Sequence, residues 1–188
     1  MPELPFEIWK NRINNEIKNL VRLKVIERDS EVWHENNVEL LININAIGFF
    51  LGDYLDEIKV IPRKSHHVLL KINRSFPYPG GIDFAWHSNI FHPNIHPVEL
   101  LSPNKPGTGH ICLNILKQWS KLSDLETTVK ALQKLVVNPN PEDPLKYDVC
   151  QKAAEFFKNN TVESLKEKYN IEEIDEDPDD DAIIILDD

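Results

Sequence analysis

The 188 residues carry a formal net charge of −10 and are 41% hydrophobic, which suits one main domain able to bury its own core without staples. No run of about eighteen apolar residues is present to cross a bilayer, and the opening MPELPFEIWK lacks the basic, apolar and small-residue succession of an export signal, so the expected location is the cytoplasm. Two cysteines without a Cys-x-x-Cys pair fit neither a disulfide framework nor a structural zinc site, and both thiols are expected to be reduced.

The first element is helical. Phe6, Trp9, Ile13, Ile17, Leu20 and Val21 recur at steps of three and four, one apolar stripe on a helix of about five turns. From Val38 to Ala46 the period changes to two, with Leu40, Ile42 and Ile44 alternating against Leu41, Asn43 and Asn45. That is a half-buried strand. Further strands are expected at Val68, Leu70 and Ile72 and at Ile82 to Trp86, set apart by PYPGG, with a weaker candidate near Glu31 to His34. Residues 47–64 read as a loop that holds at most a short extended piece at Ile58 to Ile61. Ser123 with Glu126 forms a capping box for a helix that buries Leu125, Val129, Leu132 and Val136 and stops before NPNPEDP. Pro144 suits the first turn of the next helix, with Asp143 as its cap and Val149, Cys150, Ala153, Phe156 and Phe157 facing inward. A short last helix begins at Thr161. The expected class is α+β: an N-terminal helix, an antiparallel four-stranded meander and C-terminal helices.

The charge is concentrated at the end. Ten acidic residues and no basic ones lie between Ile171 and Asp188, and the remainder is neutral. A polyanion-binding face is therefore not indicated, and neither nucleic acid nor membrane is an expected partner. The expected division is a domain over residues 1–170 and an acidic, flexible tail over 171–188.

Cys112 follows SPNKPGTGH, a polar, turn-rich stretch. A lone cytosolic thiol is most often a small buried hydrophobe, but such a loop argues for a thiol near the surface. His92-Pro93-Asn94, then Ile111-Cys112-Leu113 with Trp119 close behind, then NPNPEDPL from Asn138 to Leu145, resemble in content and order the signature blocks of the ubiquitin-conjugating enzymes, the E2 family. The resemblance implies the fold of that family and a transferase. It would take a ubiquitin-like modifier from an activating enzyme, E1, as a thioester on Cys112 and pass it to a lysine amine.

The same resemblance implies roles for three further residues. Asn94 would donate to the oxyanion formed by lysine attack, worth about 3 kcal/mol when the geometry is right, or hold the active-site loop; as an asparagine after proline it is also an ordinary turn former. Asp143 would position the lysine as well as cap a helix, and Asn114, where many relatives carry an acid, would orient the amine by hydrogen bonding. HPVELLSPNKPGT stands as an insertion between Asn94 and Cys112, which leaves their separation open. His110, two residues before Cys112, is either an activating base or a solvated loop residue. His87, His92 and His96 match no metal site, and no cofactor is expected. A RING-type ligase is implied as a partner, although Trp119-Ser120-Lys121-Leu122 and PYPGG depart from the stretches relatives use for ligase binding. The aliphatic run Ile183 to Leu186 within the acidic tail resembles a SUMO-interaction motif. Two other readings compete: a noncatalytic scaffold of the same fold that binds modifiers, and a cysteine hydrolase of modifier conjugates, which wants a histidine paired with the thiol.

Overall fold

The computed structural model describes residues 3–52, 59–99, 106–112 and 124–171. Helix α1, Phe6–Arg22, buries Trp9, Ile13, Ile17 and Leu20, and the Trp9 indole N–H donates to the Asn73 carbonyl at 2.9 Å. One end of the helix stripe is thereby pinned to the sheet.

Four antiparallel strands follow in sequence order, β1 Val32–Trp33, β2 Asn37–Leu51, β3 Val60–Asn73 and β4 Ile82–Trp86. Every expected strand is present, but β2 and β3 run well into the segment read as a loop. The register shifts between Asn45, opposite Ser65, and Gly48, opposite Arg63. Three steps on one strand face two on the other, a bulge that reverses which side chains point inward. Leu40, Ile42 and Ile44 are buried before it and Ile47 and Phe49 after it, so the alternation that marks a strand is lost at the bulge. Beyond it, Ile47, Phe49 and Val60 build a second small core with Phe91, Ala153, Phe157, Val162 and Leu165. The main core joins α1, the inner face of β2 and β3, and the next helix.

That helix, α2, spans Leu125–Val137 and buries Leu125, Val129, Leu132 and Val136 as expected. Its cap is Asp124, whose Oδ1 accepts from the Thr127 N–H at 2.7 Å; Ser123 lies outside the described residues. A second free N–H at this end, that of Leu125, donates to Glu16 of α1 at 3.0 Å. The expected helix start at Asp143–Pro144 is corrected: α3 spans Asp148–Phe157, after an extended Tyr147. The intervening segment is tied to the turn before the next short strand, with Leu145 N–H donating to the Pro93 carbonyl at 2.9 Å, and to α3 itself, with the Gln151 side chain donating to the Leu145 carbonyl at 2.9 Å. The last helix, α4, Val162–Lys168, is capped by Thr161, which accepts from Ser164 N–H at 3.1 Å. Among the described residues no helix is long and apolar enough to cross a membrane.

Candidate active site

Two short strands that sequence reading missed carry the site. β5, Ile95–His96, pairs antiparallel with β6, His110–Ile111, setting Ile95 opposite Ile111 and His96 opposite His110. The mirrored order, Ile-His on one side of a turn-rich stretch and His-Ile on the other, was the available signal. The pairing extends one residue further, where Cys112 N–H donates to the Asn94 carbonyl at 2.9 Å.

The insertion leaves and returns at one place. Val98 N–H donates to Trp86 O at 2.8 Å, Gly107 N–H to Val98 O at 2.8 Å, and Trp86 N–H to Gly109 O at 2.9 Å. Gly109 has a φ of +74°, and a Cβ there would lie 3.1 Å from the Ala85 Cβ. Only glycine meets both demands without strain, and it lets β6 lie close against β4.

Asn94 is fully buried. Its amide nitrogen donates to the carbonyls of Asn140 at 3.0 Å and Asp143 at 2.9 Å, and its Oδ1 accepts from the Asn140 N–H at 2.7 Å. Both amide protons are therefore engaged with the NPNPEDP segment, and of the two family roles this geometry favours holding that loop. Asp143 is exposed on the held loop. Asn114 and Trp119 lie outside the described residues, as does the tail from residue 172 on.

Cys112 is set into the edge of the main core with 9% of its surface exposed. The expectation of a thiol near the surface is corrected to one drawn in at the end of β6 beside Ile111, itself only 8% exposed. Cys150 is different. It has no exposure, its thiol is directed at the Ile95 carbonyl at 3.4 Å, and burial pushes its pKa up to about 12. It belongs to the core.

The histidines divide in the same way. His92 accepts the Asn94 N–H on Nδ1 at 3.0 Å, and complete burial pushes its pKa down to about 3. His96 accepts the Thr108 N–H on Nδ1 at 3.2 Å, so its neutral form carries the proton on Nε2. Its ring stacks on Tyr147 at 3.8 Å between centroids and 8° between planes. The Tyr147 hydroxyl is hydrogen-bonded to Nδ1 of His110, which is exposed. Sequence reading did not single out Tyr147.

Residues 63–169 match the family model described as ubiquitin-conjugating enzyme. The chain belongs to the ubiquitin-conjugating enzyme family. Its similarity to "Ubiquitin-conjugating enzyme E2 N" of Drosophila melanogaster is 29% identity over 136 residues, 62% of this chain and 85% of that protein. The protein of the same name from Macaca fascicularis is 30% identical over 130 residues, covering 62% of this chain and 81% of the relative. "NEDD8-conjugating enzyme Ubc12" of Dictyostelium discoideum is 37% identical over a shorter stretch of 82 residues, 41% of this chain and 36% of the relative. Membership makes the protein an E2-type transferase by family, one whose general partners are a ubiquitin-like modifier, an E1 and an E3. The described helix, sheet and helix order is that of the ubiquitin-conjugating fold, as the sequence resemblance implied.

Proposed function

We propose that this E2-type protein receives a ubiquitin-like modifier from an activating enzyme on Cys112 and transfers it to a lysine amine. In loading, the Cys112 sulfur bonds to the modifier's terminal carbonyl carbon as that carbon's bond to the E1 sulfur breaks. In transfer, a deprotonated amine attacks the same carbon and Cys112 leaves as a thiolate. The observation that carries the reading is the junction of Cys112 with Asn94: the Cys112 N–H is bonded to the Asn94 carbonyl, while the Asn94 side chain holds the loop bearing Asp143. Nucleophile and lysine-side loop thus share one support.

Cys112 is the nucleophile in this reading, Asn94 the residue that holds the loop, and Asp143 an exposed carboxylate that attracts and positions the lysine. Asn114 is assigned the weaker task of orienting the amine. The low exposure of Cys112, 9% of its surface, suits a thioester guarded from water. Ubiquitin and NEDD8, the modifiers named in the relatives, are the first two to try, and a RING-type ligase is the proposed E3. The test is incubation with a matching E1, ATP and each modifier. A reductant-sensitive adduct of one protein plus one modifier is expected; with no adduct from any modifier, the transferase reading fails and a modifier-binding scaffold remains.

A further inference from the structure

We infer that His110 is the proton acceptor for the incoming lysine ammonium, held in position for that task by Tyr147. The inference rests on the Cys112 reading above. His110 and Cys112 stand two residues apart where β6 pairs with β5, so they share a face of the hairpin, about 7 Å apart along the chain. The neighbouring pair on that face is Asn94 with Cys112. An amine approaching the sulfur past the Asp143 loop therefore meets His110 beside it.

The ring of His110 is fixed at one nitrogen. Tyr147 bonds Nδ1 and is itself held by its stack on His96. Among the described residues nothing bonds Nε2 of His110, and the side chain is exposed. In the tautomer with a hydrogen on Nδ1, that hydrogen is donated to the Tyr147 oxygen and the lone pair on Nε2 is free. A base oriented through its other nitrogen is the arrangement that favours proton transfer.

His96 is unsuited to the task. Its Nδ1 faces the Thr108 backbone N–H, so protonation would set two donors against each other. Carboxylates are weak acceptors at neutral pH and imidazoles are good ones, which leaves Asp143 to attract the ammonium and His110 to take its proton. The ionisable groups that meet His110 are His96 across the hairpin and Tyr147; Cys112 follows two residues along the chain, and Asp143, Lys146 and Asp148 flank Tyr147 in sequence. In the step, lysine N–H gives its proton to Nε2, the nitrogen bonds to the thioester carbon, the carbon–sulfur bond breaks, and Cys112 leaves as a thiolate. The second proton of the attacking nitrogen passes to water.

The test is single-turnover discharge of the purified thioester, followed from pH 6 to 9 with free lysine and with hydroxylamine, a nucleophile already neutral at pH 7. The wild-type lysine rate is expected to level off below the range in which the lysine amine itself titrates. His110→Gln should load normally, discharge to lysine at least tenfold more slowly at pH 7, rise with pH until it approaches the wild type, and discharge to hydroxylamine unchanged. Tyr147→Phe, which keeps the stack and loses the hydroxyl, should fall between the two. Equal lysine rates and profiles for His110→Gln and wild type overturn the role of His110 alone, as does an equal loss with both nucleophiles. A wild-type profile without the early plateau overturns it whether or not the variants fold. Failure of the wild type to load overturns the Cys112 reading and this inference with it.

Discussion

The Cys112 N–H and the Asn94 carbonyl are joined at 2.9 Å although the residues lie eighteen positions apart. The link makes the distance between Cys112 and the loop anchor independent of how much chain is inserted between them. Replacing residues 100–105 by a two-residue glycine-serine link should therefore leave thioester formation within about twofold of the full chain. Val98 and Gly107, on either side of the replaced stretch, already meet through a 2.8 Å hydrogen bond. A folded variant that no longer loads would give the insertion a part in catalysis.

Asn94 supports a loop by three hydrogen bonds from full burial. Asn94→Ala strands one N–H and two carbonyls, a loss on the order of 2–3 kcal/mol, or roughly 5–10 °C in Tm for a chain of this size. Asn94→Asp should do no better, since it sets a carboxylate against two carbonyl oxygens. Loading should survive in Asn94→Ala while discharge to lysine slows. Thermal melts and single-turnover gels measure the two effects separately, and an unchanged Tm would remove the loop-holding role.

Gly109→Ala tests the seating of β6. A side chain at a φ of +74°, with Ala85 and Val98 atoms 3.1 Å from its Cβ, should cost about 1–2 kcal/mol from backbone strain alone. Denaturant midpoints check the loss; a neutral effect would mean that β6 is not pressed against β4.

Acid should destabilise the fold through two buried histidines. His66 is buried with Nε2 donating to the Ala46 carbonyl at 3.2 Å, and desolvation lowers its pKa to about 4, while His92 falls to about 3. The unfolded chain protonates both rings below about pH 6.5. The stability from keeping them neutral is complete above that value and is lost as the pH falls toward the two folded values. Between pH 7 and pH 5 the loss is about 4 kcal/mol for the two rings together, measurable as a drop in the urea midpoint. His66→Gln, which keeps a donor for Ala46, should show about half the drop. Equal midpoints at the two pH values in the wild type would contradict neutral burial.

Much of the architecture was written in periodicities of single elements. The stripe from Trp9 to Leu20 and the alternation from Leu40 to Ile44 each depend on which face meets the core, and both are legible without knowing the partner. What was not legible depends on distant contacts. Phe49 continues β2 because a second core forms against α3 and α4, and the bulge at Asn45 to Gly48 hides the continuation by inverting the alternation. The start of α3 is delayed from Asp143 to Asp148 by the bond of Leu145 to Pro93, a contact that capping preferences cannot anticipate. At the site, Cys112, Asn94 and Asp143 stood out in the sequence as signature residues, and the chain brings the last two together through the Asn94 amide. Tyr147 was invisible because its meaning lies in His96 and His110, on a hairpin closed only by tertiary pairing.

The most direct measurement is mass spectrometry of the protein after incubation with E1, ATP and modifier, with wild type and Cys112→Ser compared before and after thiol treatment. The account predicts one added modifier on the peptide containing residue 112, released by thiol from the wild type and retained as an ester by Cys112→Ser. A modifier joined elsewhere, or an adduct that persists in Cys112→Ala, would contradict it.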